Sequence, residues 1–119
     1  SRSNAMTVLA NGNVGIGTTN PTYKLSVNGN IRSKEVVVES GWADYVFADN
    51  YKLKSLTEVE QFIKENKHLP NIPSAEEIEK NGLHLGDTQK KMMEKIEELT
   101  LHLIEANKQI KELQEKIKP

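Results

Sequence analysis

Met92-Met93-Glu94-Lys95-Ile96-Glu97-Glu98-Leu99-Thr100-Leu101-His102-Leu103-Ile104-Glu105-Ala106, continued by Asn107-Lys108-Gln109-Ile110-Lys111-Glu112-Leu113-Gln114-Glu115-Lys116-Ile117, carries the strongest periodic signal in the chain. Met92, Ile96, Leu99, Leu103, Ala106, Ile110, Leu113 and Ile117 are spaced alternately by four and three, the heptad seam of a left-handed coiled coil. Ile96, Leu103, Ile110 and Ile117 take the a positions, and Met92, Leu99, Ala106 and Leu113 take d. Extended backward, the pattern puts Leu85 at d and Gln89 at a, so the seam weakens there. A helix from about Asp87 to Ile117 is expected, on the order of 45 Å long at about 1.5 Å per residue. Little upstream sequence is left to cover it beyond Asn107, so self-association is the favoured reading over packing on its own domain. Ile at a with Leu at d leans toward a parallel dimer, while the small Ala106 admits several packings. Leu101 and Ile104 fall outside the seam, at f and b. They predict that the first heptads are jacketed by short helices or by an aromatic segment upstream.

Working backward, Ser74-Ala75-Glu76-Glu77 has the form of a capping box, opening a short helix that Asn81-Gly82 can close. His68-Leu69-Pro70-Asn71-Ile72-Pro73 reads as a rigid connector, because each proline lacks a backbone donor and biases its predecessor toward extended geometry. Ser55-Leu56-Thr57-Glu58 is another capping box, and Leu56, Val59, Phe62 and Ile63 fall on one helical face that runs out near Asn66. Gly41-Trp42-Ala43-Asp44-Tyr45-Val46-Phe47 gathers the only Trp, one Tyr and one Phe. Trp42, Tyr45 and Phe47 are therefore the candidate hydrophobic anchor, expected to pack under the helices rather than to form a ligand platform.

Ahead of this segment the period is that of strands. Val36-Val37-Val38, within Ile31 to Glu39, is β-branched and suits a strand. Between Asn11 and Asn30 two apolar pairs, Val14 with Ile16 and Leu25 with Val27, alternate with small or polar residues. Asn11-Gly12-Asn13 and Asn28-Gly29-Asn30 supply turns at both edges. Strands this short bury little by themselves and are expected to pack against copies of themselves. Ser1 to Ala5 ahead of Met6 look like a cloning remnant, so the chain reads as a fragment with any signal or anchor outside it. The resulting division is 1–6 remnant, 7–39 β-rich stalk, 40–86 small aromatic and helical module, and 87–119 coiled coil: α+β overall.

Composition narrows the function classes. With 36% hydrophobic and 5% aromatic residues, a large self-contained core is not expected. Sixteen basic against seventeen acidic residues leave no long-range field to gather nucleic acid or an anionic membrane. The chain has no cysteine for disulfides or thiolate sites, and no apolar run approaches the roughly 20 residues that span a bilayer.

Two further stretches carry a family resemblance. Asn13-Val14-Gly15-Ile16-Gly17-Thr18-Thr19-Asn20-Pro21, followed by Lys24-Leu25-Ser26-Val27-Asn28-Gly29-Asn30-Ile31, closely resembles a motif near the ends of phage tail fibres and bacterial tail-fibre-like surface proteins. The stretch from Glu39 to Gln109, notably Trp42-Ala43-Asp44-Tyr45-Val46-Phe47, His68-Leu69-Pro70-Asn71-Ile72-Pro73-Ser74 and Lys95-Ile96-Glu97-Glu98-Leu99-Thr100, looks like the C-terminal module of such proteins in Bacteroidetes. That module is similar, more distantly, to the intramolecular chaperone domains of endosialidase-type tail spikes, which trimerise the fibre and in many members cut themselves off. The resemblance implies a parallel homotrimer with a β-rich stalk, an upstream fibre in the same chain, and an extracellular, cell-surface or phage-particle setting.

It also raises a Ser/Lys autoprotease, in which a serine followed by aspartate, with lysine a few residues later, cleaves at its own amino side. No Ser-Asp pair exists here. Ser40 lies at the matching junction, but Gly41 follows it and Tyr45 stands where the lysine is expected, so the hydroxyl lacks a local base. Ser33-Lys34 are sequence neighbours whose side chains point to opposite faces of a strand. No metal or cofactor site is expected. His68, His84 and His102 lack the i, i+4 spacing of a helical metal pair, and Gly12, Gly15 and Gly17 open no helix that would cradle a phosphate. Glu97-Glu98 and Lys90-Lys91 read as solvated helix faces. The leading expectation is a non-enzymatic trimerisation and folding module, ahead of a receptor-binding tip displaying Trp42, Tyr45, Phe47 and Tyr51, and ahead of the self-cleaving protease.

Overall fold

The computed structural model describes residues 5–119. The chain divides into two compact units, Ser1–Val37 and Val38–Pro119. The first holds strands β1 (Met6–Val8), β2 (Val14–Ile16) and β3 (Leu25–Val27), and the second holds helices α1 (Leu56–Asn66), α2 (Ala75–Asn81) and α3 (Leu85–Lys116). The fold is α+β.

In the first unit β1 and β2 pair antiparallel and β2 and β3 parallel, in the order β1-β2-β3. The hairpin closes where the Asn11 side chain accepts a hydrogen bond from the Asn13 N–H at 2.9 Å and Gly12 takes a φ of 90°. The parallel link 17–24 is shorter than the usual dozen or so residues of a crossover. Gly15 makes it possible: a Cβ there would lie 2.3 Å from the Thr18 carbonyl oxygen, so the returning chain crosses directly over the strand. Pro21 is buried, and its carbonyl accepts from Asn13 Nδ2 at 3.1 Å.

Register sorts the two faces of this sheet. Met6, Ile16 and Val27 are partners, as are Val8, Val14 and Leu25, and partners share a face. The other face is Thr7, Gly15 and Ser26, over which the link passes. The six apolar side chains therefore lie together, and Met6, Val8 and Leu25 are more than half exposed. Of the segment 1–6 read as a remnant, residues 1–4 lie outside the described ones, while Met6 opens β1 and Ala5 accepts from the Gly17 N–H at 3.1 Å.

The strand expected at Val36-Val37-Val38 does not form. These residues are irregular backbone, and Val37 is 85% exposed. β-propensity is a preference for a pleated, half-buried surface, and no neighbouring strand supplies one here.

The helices of the second unit begin where the capping boxes place them. Ser55 accepts from the Glu58 N–H at 3.1 Å and Ser74 from the Glu77 N–H at 3.2 Å, each glutamate reaching back to its cap. Lys67, with a left-handed φ of 62°, closes α1, and Gly82 closes α2. Between them the His68 ring meets Phe62 edge-on, and Pro70-Asn71 makes a turn in which Asn71 takes a φ of 61°. α3 starts at Leu85, two residues before the expected Asp87, because the His84 carbonyl already accepts from the Thr88 N–H.

Candidate assembly surface

α3 is 32 residues long, about 48 Å at 1.5 Å per residue, and its sides are covered in an unusual order. The irregular segment 38–51 forms a strap along its first turns. Val38 and Ser40 lie over Gly86, Gly41 lies near the Lys90 amine, Tyr45 donates to Glu94 and Tyr51 donates to Glu98. Residues 86, 90, 94 and 98 form one i, i+4 row, so strap and helix run in the same direction. Gly86 has no side chain because a Cβ would stand 2.7 Å from Val38 Cγ1.

Carboxylates hold the strap down. Tyr45 Oη donates to Glu94 Oε1 at 2.5 Å, and Tyr51 Oη to Glu98 Oε2 at 2.6 Å. Asn71 Nδ2 donates to the other Glu94 oxygen at 2.9 Å, tying the proline turn to the same helix. Lys95 Nζ bridges Glu94 at 3.2 Å and Glu98 at 2.7 Å. The bond to Glu94, with burial, raises the Tyr45 phenol to about 12. Burial first, then the bond to Glu98, pushes Tyr51 higher still. For Glu94, burial alone would raise the carboxyl, but the bonds from Tyr45, Asn71 and Lys95 outweigh it and hold it below its ordinary value.

The reading of Glu97-Glu98 as solvated is therefore corrected. Glu97 is 8% exposed, with one carboxylate oxygen buried and unpartnered, and the Glu98 side chain is 15% exposed. Heptad positions b, c and f look like solvent positions in sequence, and here the strap covers them. The one available signal was the pair of tyrosines, whose hydroxyls need acceptors once their rings are covered.

The seam itself is left bare within the chain. Met92, Ile96, Leu99, Leu103, Ile110, Leu113 and Ile117 are 52–80% exposed, and Ala106 is exposed as well. The only buried apolar residues besides glycine and proline are Ala43 and Val46, among the described residues. The anchor within one chain is thus made by these two and by the tyrosine hydroxyls. Trp42 and Phe47 are 57% and 56% exposed, and only Tyr45 of the expected trio is fixed, by its bond to Glu94. Sequence composition ranked the large rings first, but a strap lying close along a helix has room beneath it for small side chains. Leu101 is half-buried as expected of a jacketed position, whereas Ile104 stays 47% exposed.

A groove of about 370 Å³ lies on one flank of α3, lined on the other side by Leu56, Val59 and Phe62 of α1 and by Leu69. Ser40 Oγ donates to its neighbour's carbonyl, that of Gly41, at 3.3 Å. α3 does bring an amine to this junction, since Lys90 Nζ is 3.7 Å from where a Cβ on Gly41 would stand. His68 contacts the Leu69 carbonyl, His102 lines the groove, and His84 precedes α3. Among the described residues no three His, Asp or Glu side chains gather into a metal site, and no helix is long and apolar enough to cross a membrane.

Comparison with models of known families finds no match, and neither a curated protein nor a solved structure matches the chain.

Proposed function

We propose that this chain is a non-enzymatic assembly module of a fibre-like protein, in which α3 joins identical chains as a parallel coiled coil and so brings their β-rich segments together. One observation carries the reading: α3 buries its acidic side against its own chain and leaves its heptad seam uncovered. That arrangement is unfavourable for a solitary chain, since apolar area removed from water contributes roughly 25 cal/mol per Å². It becomes favourable once a second and third seam cover the first. The apolar face of the sheet, with Met6, Val8 and Leu25 exposed, supports the same reading from the other unit.

Three chains are preferred to two on the resemblance of 13–31 and 39–109 to fibre ends, and the setting proposed is accordingly a surface or particle fibre. Sedimentation equilibrium of the chain at micromolar concentration tests this. A trimer is expected, a dimer would show that the seam residues outweigh the resemblance, and a monomer would refute the reading.

A further inference from the structure

The groove between α1 and α3 lies on the flank formed by Glu98, Leu99 and His102, heptad positions c, d and g. Leu99 belongs to the seam as well, so groove and seam are one continuous apolar surface. α1 covers its side of the groove only in part: Leu56, which lines it, is 56% exposed, and no residue of α1 is buried. On the opposite flank Ile104, at position b, is an apolar side chain beyond the end of the strap's contacts and 47% exposed.

These two features cannot satisfy each other within one chain. At 100° per residue Ile104 lies between about 120° and 160° around the helix from Glu98, Leu99 and His102. A neighbouring helix packs against one flank, at an interaxial distance of about 8–10 Å, and does not reach the other. In a parallel coiled coil, however, the g flank of each helix faces the e flank of the next, and b lies beside e. With the chains in register, the flank of a second copy carrying Thr100 and Ile104 stands at the level of this groove.

We infer that α1 is an intersubunit clamp: it lies in the furrow between its own α3 and the α3 of a second copy, whose Ile104 closes the groove beside Leu56. This rests on the coiled-coil reading and deepens it, because it gives the outer helix a role in holding neighbours together. It accounts for an apolar residue at a heptad position that is ordinarily polar, and for an α1 whose apolar face is only half covered.

The test uses the full chain and two variants, Leu56→Glu and Ile104→Lys, at side chains that are about half exposed in the single chain. Sedimentation equilibrium first establishes that the wild type associates. A monomeric wild type overturns the coiled-coil reading and this inference together. Given an oligomer, each variant should dissociate at a concentration about tenfold higher or more, since each puts a charge into a contact that burial otherwise favours. Mixing the two variants should restore association, because the carboxylate introduced on α1 of one chain then meets the ammonium introduced on α3 of the next. Wild-type dissociation of Ile104→Lys refutes the clamp while leaving the seam intact. So does a mixture that associates no better than the variants do separately. Ile104→Lys changes no residue of its own chain's groove, so the result does not depend on whether Leu56→Glu perturbs α1.

Discussion

Placing asparagine at two a positions, as Ile96→Asn with Ile110→Asn, should dissolve the oligomer while leaving the fold of each chain largely in place. In the single chain Ile96 and Ile110 are 52% and 54% exposed, so about half of each side chain's burial awaits a partner. That half contributes roughly 0.8–1.5 kcal/mol per residue. Two sites in three chains give roughly 5–9 kcal/mol per trimer, about 10³- to 10⁶-fold in the association constant. Sedimentation equilibrium across a dilution series reads the association, and far-UV circular dichroism reads the helix. Assembly of the β-rich segments should suffer too, although none of their residues changes. The strands already pair within each chain, so what separate chains have to bring together is the exposed apolar faces of their sheets, an ordering cost that prior joining converts into an intramolecular event. Fusing 7–39 to an unrelated trimeric coiled coil should then restore its assembly. If the double variant forms trimers with an unchanged melting profile, α3 is an accessory element and the reasoning fails.

Tyr51→Phe should destabilise the second unit by roughly 1–3 kcal/mol in urea unfolding, since it deletes a hydrogen bond to a carboxylate; no loss would show that the strap is held by packing alone. Gly15→Ala should lower the stability of the three-stranded sheet by roughly 1–3 kcal/mol, because its methyl group meets the Thr18 carbonyl 2.3 Å away; an unchanged melting temperature would show that the link can move aside. The depressed Glu94 carboxyl stabilises the fold above its ordinary value of 4.5, and that contribution is lost as pH falls through the lower folded value. Tyr45 acts in the opposite sense: its contribution is complete below pH 10 and is lost as pH rises toward about 12, so unfolding free energy should fall on both flanks and Glu94→Gln should flatten the acid one. The chain should keep its full mass through folding, and scission beside Ser40 that stops in Ser40→Ala or Lys90→Ala would overturn the non-enzymatic reading.

The elements with local causes were legible in the sequence. Both capping boxes, the turn at Asn11-Gly12-Asn13, the short strands at 14–16 and 25–27, and the long heptad helix follow from spacing over a few residues. They stand where expected, apart from α3 starting two residues early, whereas the parallel pairing of the two strands within the chain was not foreseen. What escaped depends on contacts between distant segments. Glu94, Glu97 and Glu98 look like solvent positions until a strap some 50 residues upstream crosses them. Val36 to Val38 look like a strand until no strand stands beside them. The nearness of Lys90 to the Ser40 junction escaped for the same reason, because a search for a base a few residues downstream does not see an amine delivered by another element.

The direction of the strap has a mechanical consequence. Residue 38 lies at the beginning of α3 and residue 51 three turns further on, both chains of atoms running the same way. Tension that draws residue 38 back beyond the start of α3 therefore acts along the helix axis, and the strap is loaded in shear. In shear the Tyr45 and Tyr51 bonds, with Val38 lodged over Gly86, resist together, whereas peeling would break them one after another. Forced opening is governed by the unfolding rate rather than by the equilibrium, so this geometry favours a junction that holds under pull even where its bonds are individually modest.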